Sequence, residues 1–188
     1  MLILASNSPR RKEILEMLGF DFKIVVSHCD ETVDKISPKQ TVMELSKRKA
    51  MAINCEETDI IIGSDTIVCL NDNILGKPKD KDDAIRMLKS LSGNCHEVFT
   101  GVTIISGKKC ITDYVSAKVY FKKMSEDEII YYVNTNEPMD KAGAYAIQGK
   151  GAAYIEKIEG DFFAVMGLPA CFVSKALAEF NIFPKNFK

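Results

Sequence analysis

Histidine is scarce in this chain: only His28 and His96 occur in 188 residues. Its six cysteines, Cys29, Cys55, Cys69, Cys95, Cys110 and Cys171, include no CxxC pair. Together these two absences exclude a zinc cage built from His and Cys. Scattered single cysteines are expected to be small core residues in a reducing compartment, not a disulfide framework. No apolar run approaches the roughly 20 residues that a membrane span needs. The apolar stretch at residues 1–5 is too short for a signal-peptide core and has no basic region before it. A cytoplasmic protein with no membrane partner is therefore expected. An excess of one charge is also missing. Lys and Arg number 25 against 26 Asp and Glu, for a net charge of −1. That balance argues against a stable nucleic-acid complex. There are no internal repeats, no low-complexity segments and no GxxxxGK[ST] phosphate loop.

What is present suits a globular α/β chain, with 46% apolar and 27% charged residues. Residues 1–5 predict a short buried strand. Ser8-Pro9 opens a helix over about 9–18, with Ile14, Leu15 and Leu18 inward and Gly19 as its stop. Residues 22–26 predict a strand. Ser37 with Gln40 predicts a capping box on a helix running to about residue 54. The β-branched run at 59–70 predicts a buried strand, and residues 71–73 a turn. A helix follows over 80–91. Strands at 97–106 and 110–121 flank Gly107-Lys108 as a hairpin. Ser125 with Glu128 caps a helix over 126–134. Glycines from 143 to 151 predict loop. Further strands are expected at 152–158 and 162–165, and a last helix from Pro169 with Val173, Ala176, Leu177 and Phe180 inward. Early alternation of strands and helices, with a hairpin in mid-chain, predicts an α/β fold on a mixed sheet.

Four places break local rules, and sites are often found where a sequence does so. Arg10 and Arg11 stand in a first helical turn, where the helix dipole disfavours cations but free N–H groups favour phosphate. Two solvated arginines are the plain alternative. Lys49 falls on the helical stripe of Val42, Leu45, Ala52 and Ile53, so its ammonium needs a partner, a ligand or a route to water. Asp65 interrupts a strand of Ile60, Ile61, Ile62, Ile67 and Val68. A carboxylate there is costly unless paired, protonated or metal-bound. Gly63 permits a bend or a close backbone approach beside it. The stretch 140–151 is rich in small residues that let a ligand approach the backbone, and Gln148 offers both a donor and an acceptor to a base edge. Asp30 and Glu31 are adjacent acids that could help hold a metal, although such a pair is more often a solvated loop. Lys77 sits in the tight turn Gly76-Lys77-Pro78, within reach of a phosphate or of water.

Six segments follow one another in an order that resembles the Maf family of nucleotide pyrophosphatases: LASNSPRR (4–11), GSDTIV (63–68), LGKP (75–78), LSGNCHEVFTGV (91–102), DKAGAYAIQGKGA (140–152) and GLP (167–169). The resemblance covers nearly the whole chain. It implies a single Maf/ITPase-like domain over residues 1–188, elongated, with a mixed twisted sheet, flanking helices and a cleft between two lobes. It also implies residue roles. Asp65 would be the general base, and Glu31 the acid near the metal and the catalytic water. Arg10, Arg11, Lys49, Lys77 and Lys141 would bind substrate phosphate, with Lys49 also counted among the catalytic residues; Ser6 would bind substrate, and Arg10, Thr66 and Gln148 would select the nucleotide. The cofactor implied is a divalent cation, Mg²⁺ or Mn²⁺, held by Glu31 and Asp65. DTIV together with AYAIQG resembles the branch that acts on dTTP and UTP. Ser64 stands where the family commonly has alanine, and Ala164 where it usually has asparagine. Pyrophosphate release from another or modified nucleotide, orthophosphate release, and a binding protein of septation without turnover remain the rival readings. Monomer and homodimer are both open.

Overall fold

The computed structural model describes residues 1–33 and 37–186. Its strands are β1 (Leu2–Leu4), β2 (Lys23–Ile24), β3 (Ile60–Leu70), β4 (Asn73–Leu75), β5 (Cys95–Ser106), β6 (Lys109–Phe121) and β7 (Ile155–Gly160). They form one mixed sheet in the order β2-β1-β3-β5-β6-β7, with β4 paired to β3. β1 is parallel to both β2 and β3, whereas β3/β4 and β6/β7 are antiparallel. Helices α1 (Pro9–Met17), α2 (Pro38–Met51), α3 (Lys81–Leu91) and α4 (Glu126–Asn134) lie between strands, and α5 (Phe162–Met166) and α6 (Ala170–Ala178) follow β7. No described helix is long and apolar enough to cross a membrane.

Local chemistry explains most of the element boundaries. Pro9 opens α1, and Gly19 closes it at φ +78°. There Gly19 N–H donates to Glu16 O and Phe20 N–H to Leu15 O, the paired bonds of a Schellman stop. Both expected capping boxes form, Ser37 with Gln40 and Ser125 with Glu128. The turn at Asn71-Asp72 places both residues at positive φ, 49° and 63°, as a two-residue hairpin requires. That turn returns the chain as β4, a strand not foreseen from the sequence.

Three expectations about elements and cysteine burial fail. Residues 162–166 are helix α5, not strand, despite two phenylalanines and a valine. Asp161 Oδ1 accepts from Phe163 N–H and Ala164 N–H, and this cap outweighs β propensity. Residues 150–154 form a 3₁₀ turn, so β7 begins only at Ile155. Of the cysteines only Cys69 is buried; Cys29 is half-buried and the other four are exposed, all of them as free thiols. Cys95 shows the reason: it alternates with buried His96 and Val98 along β5 and so faces outward.

The chain packs as two compact units. Residues 1–65, 100–115 and 167–188 make the first, and 66–99 with 116–166 the second. The first unit buries β1, Ile14 and Leu15 of α1, Val42, Leu45 and Ala50 of α2, and Val173, Ala176 and Leu177 of α6. The second has its own core, in which Ala84, Leu88 and Leu91 of α3 meet Ile129, Tyr132 and Val133 of α4.

Candidate active site

Two glycines decide where Lys49 and Asp65 end up in the first unit. A Cβ on Gly63 of β3 would lie 2.1 Å from Ser46 O, and one on Gly101 of β5 would lie 2.2 Å from Val42 O. Helix α2 therefore rests its backbone directly on the strands, an approach open only to residues without a side chain. A chain of hydroxyls, buried at Ser46 and Thr103 and half-buried at Thr112, fixes it there. Ser46 Oγ is 2.9 Å from Thr103 Oγ1, which is 2.9 Å from Thr112 Oγ1. Ala52, expected on the inward stripe, is exposed, and Ala50 takes its place.

This seating carries Lys49 onto Asp65. Lys49 Nζ donates to Asp65 Oδ1 at 2.6 Å and lies 3.2 Å from Glu31 Oε1. The Lys49 and Asp65 side chains are only 12% and 10% exposed, so the strand carboxylate is paired and not merely solvated. Asp30 does not join the cluster. Its Oδ1 accepts from Thr32 N–H at 2.8 Å, a turn bond that also holds its carboxyl below the usual range. Arg48 donates to Thr32 O and Asp30 O, tying the backbone on both sides of Glu31 to α2.

Arg11 is placed by two acceptors of the same unit. Its Nε donates to Gly167 O at 2.9 Å, and its Nη1 donates to Ser6 Oγ at 3.0 Å. Ser64 Oγ donates to the same Gly167 carbonyl at 3.0 Å. Ser6 Oγ also accepts from Ser8 N–H, so both bonds use it as acceptor and its own O–H can be donated. Burial pulls the Arg11 guanidinium below its ordinary value; Asp65 and Glu31 pull it up, and Arg10 pulls it down. Arg10 is half-buried in the same first turn. Cations thus gather at the uncapped start of α1, which has no acidic residue in its first turn.

The remaining expected residues lie in the second unit. Thr66 follows Asp65 on β3, half-buried. Lys77 is exposed in the turn after β4, and this turn is tied to the glycine-rich loop by Gly143 N–H donating to Gly76 O at 3.0 Å. Lys141 Nζ donates to Glu137 O at 3.0 Å and pairs with Asp140. Gln148 is exposed further along that loop. Ser64, Gly167, Arg48, Tyr132 and Glu137 were not foreseen as site-building residues. Ser64 had a visible signal, as a hydroxyl where alanine is common; a carbonyl acceptor such as Gly167 O has none.

No three His, Cys, Asp or Glu side chains gather into a metal cage among the described residues. The site instead offers two carboxylates already drawn to one cationic point, the Lys49 ammonium. Glu31 and Asp65 are thus the acidic side chains here that could serve a hard divalent ion, which takes one or two carboxylates and completes its shell from substrate phosphates and water.

A family model described as Maf-like protein matches residues 1–180. The chain belongs to the Maf family. It is 48% identical over 190 residues to a dTTP/UTP pyrophosphatase of Thermoanaerobacter sp. (strain X514), covering 99% of this chain and 96% of that one. It is also 48% identical over 183 residues to a dTTP/UTP pyrophosphatase of Bacillus cereus (strain G9842), covering 96% of each. A protein of the same name from Bacillus velezensis is 47% identical over 183 residues, 96% of this chain and 97% of its own. The similarity to these Maf relatives runs over nearly the full length of each chain.

Proposed function

We propose that this Maf chain hydrolyses dTTP and UTP at the α–β phosphoanhydride, releasing the nucleoside monophosphate and pyrophosphate. The observation that carries the reading is the buried Asp65 carboxylate held by Lys49, in a chain similar over its length to proteins named for that activity. Asp65 takes a proton from the attacking water as its oxygen bonds to the α-phosphorus. The bond from that phosphorus to the bridging oxygen breaks, and its electron pair leaves with pyrophosphate. Arg10, Arg11, Lys49, Lys77 and Lys141 bind the triphosphate and stabilise charge on the leaving group. The Ser6 hydroxyl donates to a phosphate oxygen. Arg10, Thr66 and Gln148 select the nucleotide. Glu31 and Asp65 would hold a divalent cation, Mg²⁺ or Mn²⁺, which would supply activation of the attacking water and offset phosphate charge.

The test incubates the purified protein with Mg²⁺ or Mn²⁺ and a panel of nucleoside triphosphates, measuring pyrophosphate and orthophosphate separately. Pyrophosphate and monophosphate from dTTP and UTP, with little from purine nucleotides, are expected. Asp65→Asn keeps the shape of the side chain and should abolish turnover in a folded protein. Orthophosphate as the first product, or full activity in Asp65→Asn, would overturn the mechanism.

A further inference from the structure

Gln148 is an exposed residue in a loop, next to buried Ile147, and such a residue can discriminate bases only if its backbone is held still. The anchors lie on both sides of it. Upstream, Ala146 N–H donates to Tyr132 Oη at 3.0 Å. Downstream, Lys150 N–H donates to Glu137 Oε2 at 3.0 Å and Gly151 N–H to Glu137 Oε1 at 3.1 Å. The two anchors are joined, because Tyr132 Oη donates to Glu137 Oε1 at 2.8 Å. One carboxylate thus closes a ring of hydrogen bonds around the segment that carries Gln148. The backbone of Glu137 also accepts from Lys141 Nζ.

The surroundings are shaped to this carboxylate. A Cβ on Gly149 would fall 2.4 Å from Glu137 Oε2, and one on Gly151 would fall 2.5 Å from Tyr132 Oη. Tyr132 is fully buried in α4, so the relay starts from rigid structure. Burial alone would raise the Glu137 carboxyl. The Lys150 and Gly151 amides, the Tyr132 hydroxyl and the Lys141 charge outweigh that effect and hold it below its ordinary value.

We infer that Glu137 is a positioning residue for base selection: acting with Tyr132, it fixes the loop that presents Gln148 to the pyrimidine. The inference rests on the pyrophosphatase reading. Glu137→Gln puts an NH₂ group where a carboxylate oxygen accepts, setting donor against donor at the Lys150 or the Gly151 side. Tyr132→Phe removes only the hydroxyl and keeps the ring packing.

The test compares kcat and KM for dTTP, dCTP and dATP in wild type, Glu137→Gln, Tyr132→Phe and Gln148→Ala. Amide exchange over 146–151 is followed alongside. Glu137→Gln should lose about tenfold in the kcat/KM preference for dTTP, chiefly through KM, the scale of one charge-assisted hydrogen bond. Adding it to Gln148→Ala should cost little further preference, and exchange over 146–151 should accelerate. A purely structural role would lower all three nucleotides by one factor. A selective wild type whose Glu137→Gln and Tyr132→Phe variants keep the same preference would overturn this inference alone. A wild type without turnover would overturn the pyrophosphatase reading, and this inference with it.

Discussion

Removing the Lys49 ammonium should leave a buried carboxylate without its partner, and the cost follows from the geometry. Lys49→Met keeps most of the aliphatic stem and deletes the charge. The ammonium lies 2.6 Å from Asp65 Oδ1, with the two side chains 12% and 10% exposed. Breaking a buried pair by deleting one partner costs about 3–5 kcal/mol. Its second contact, to Glu31 at 3.2 Å, adds little because that side chain is 62% exposed. The lower end, about 3 kcal/mol, is therefore expected, or roughly 6–12 °C in Tm for a chain of this size. Urea unfolding and a thermal melt in EDTA at neutral pH measure it without a divalent ion to replace the ammonium. A double-mutant cycle with Asp65→Asn isolates the pair. The neutral amide that Asp65→Asn introduces needs no counter-charge. That second substitution should therefore cost nothing on the Lys49→Met background, for a coupling of about 2 kcal/mol or more. A Lys49→Met protein within about 0.5 kcal/mol of wild type, or additive single effects, would refute the reasoning.

Gly63→Ala should destabilise the protein by about 2 kcal/mol or more and depress turnover, because its Cβ meets the α2 backbone and must push Lys49 away from Asp65. A variant with wild-type Tm and kcat would show that the helix yields freely. Gln148→Ala should narrow the ranking among nucleotides more than it slows release of pyrophosphate; an unchanged ranking would remove Gln148 from base selection. His96, with Nε2 2.8 Å from the Tyr145 hydroxyl, is buried and pushed down to about 4 from its ordinary 6.5. The unfolded chain binds that proton first, so stability should fall as pH drops from about 6.5 to about 4, by roughly 3 kcal/mol from this group. His96→Gln should flatten that slope in unfolding curves taken across the window; an equal slope would place the proton elsewhere.

Much of the frame is written locally. Proline, serine and glycine signals mark the ends of α1, α2 and α4, because caps and stops act within one turn of chain. The run at 60–70 shows its burial in its β-branched residues. Asp65 and Lys49 stand out by themselves, each as a charge on an apolar face. Local signals misplaced α5, where one Asp161 side chain overrides three strand-favouring residues. They also hid β4, a strand of three residues that exists only because β3 is there to pair with it. The match between Lys49 and Asp65 was decided in three dimensions, by the absence of side chains at Gly63 and Gly101 under α2. The separation of Asp30 from Glu31 was decided the same way, by a turn bond and by Arg48. Arg11 depends on the carbonyl of Gly167, 156 positions away in the chain. Glu137 binds its own loop through backbone amides. Sequence shows which side chains are too costly to bury alone; backbone acceptors and close approaches carry no side-chain signature, so only the folded chain shows what they meet.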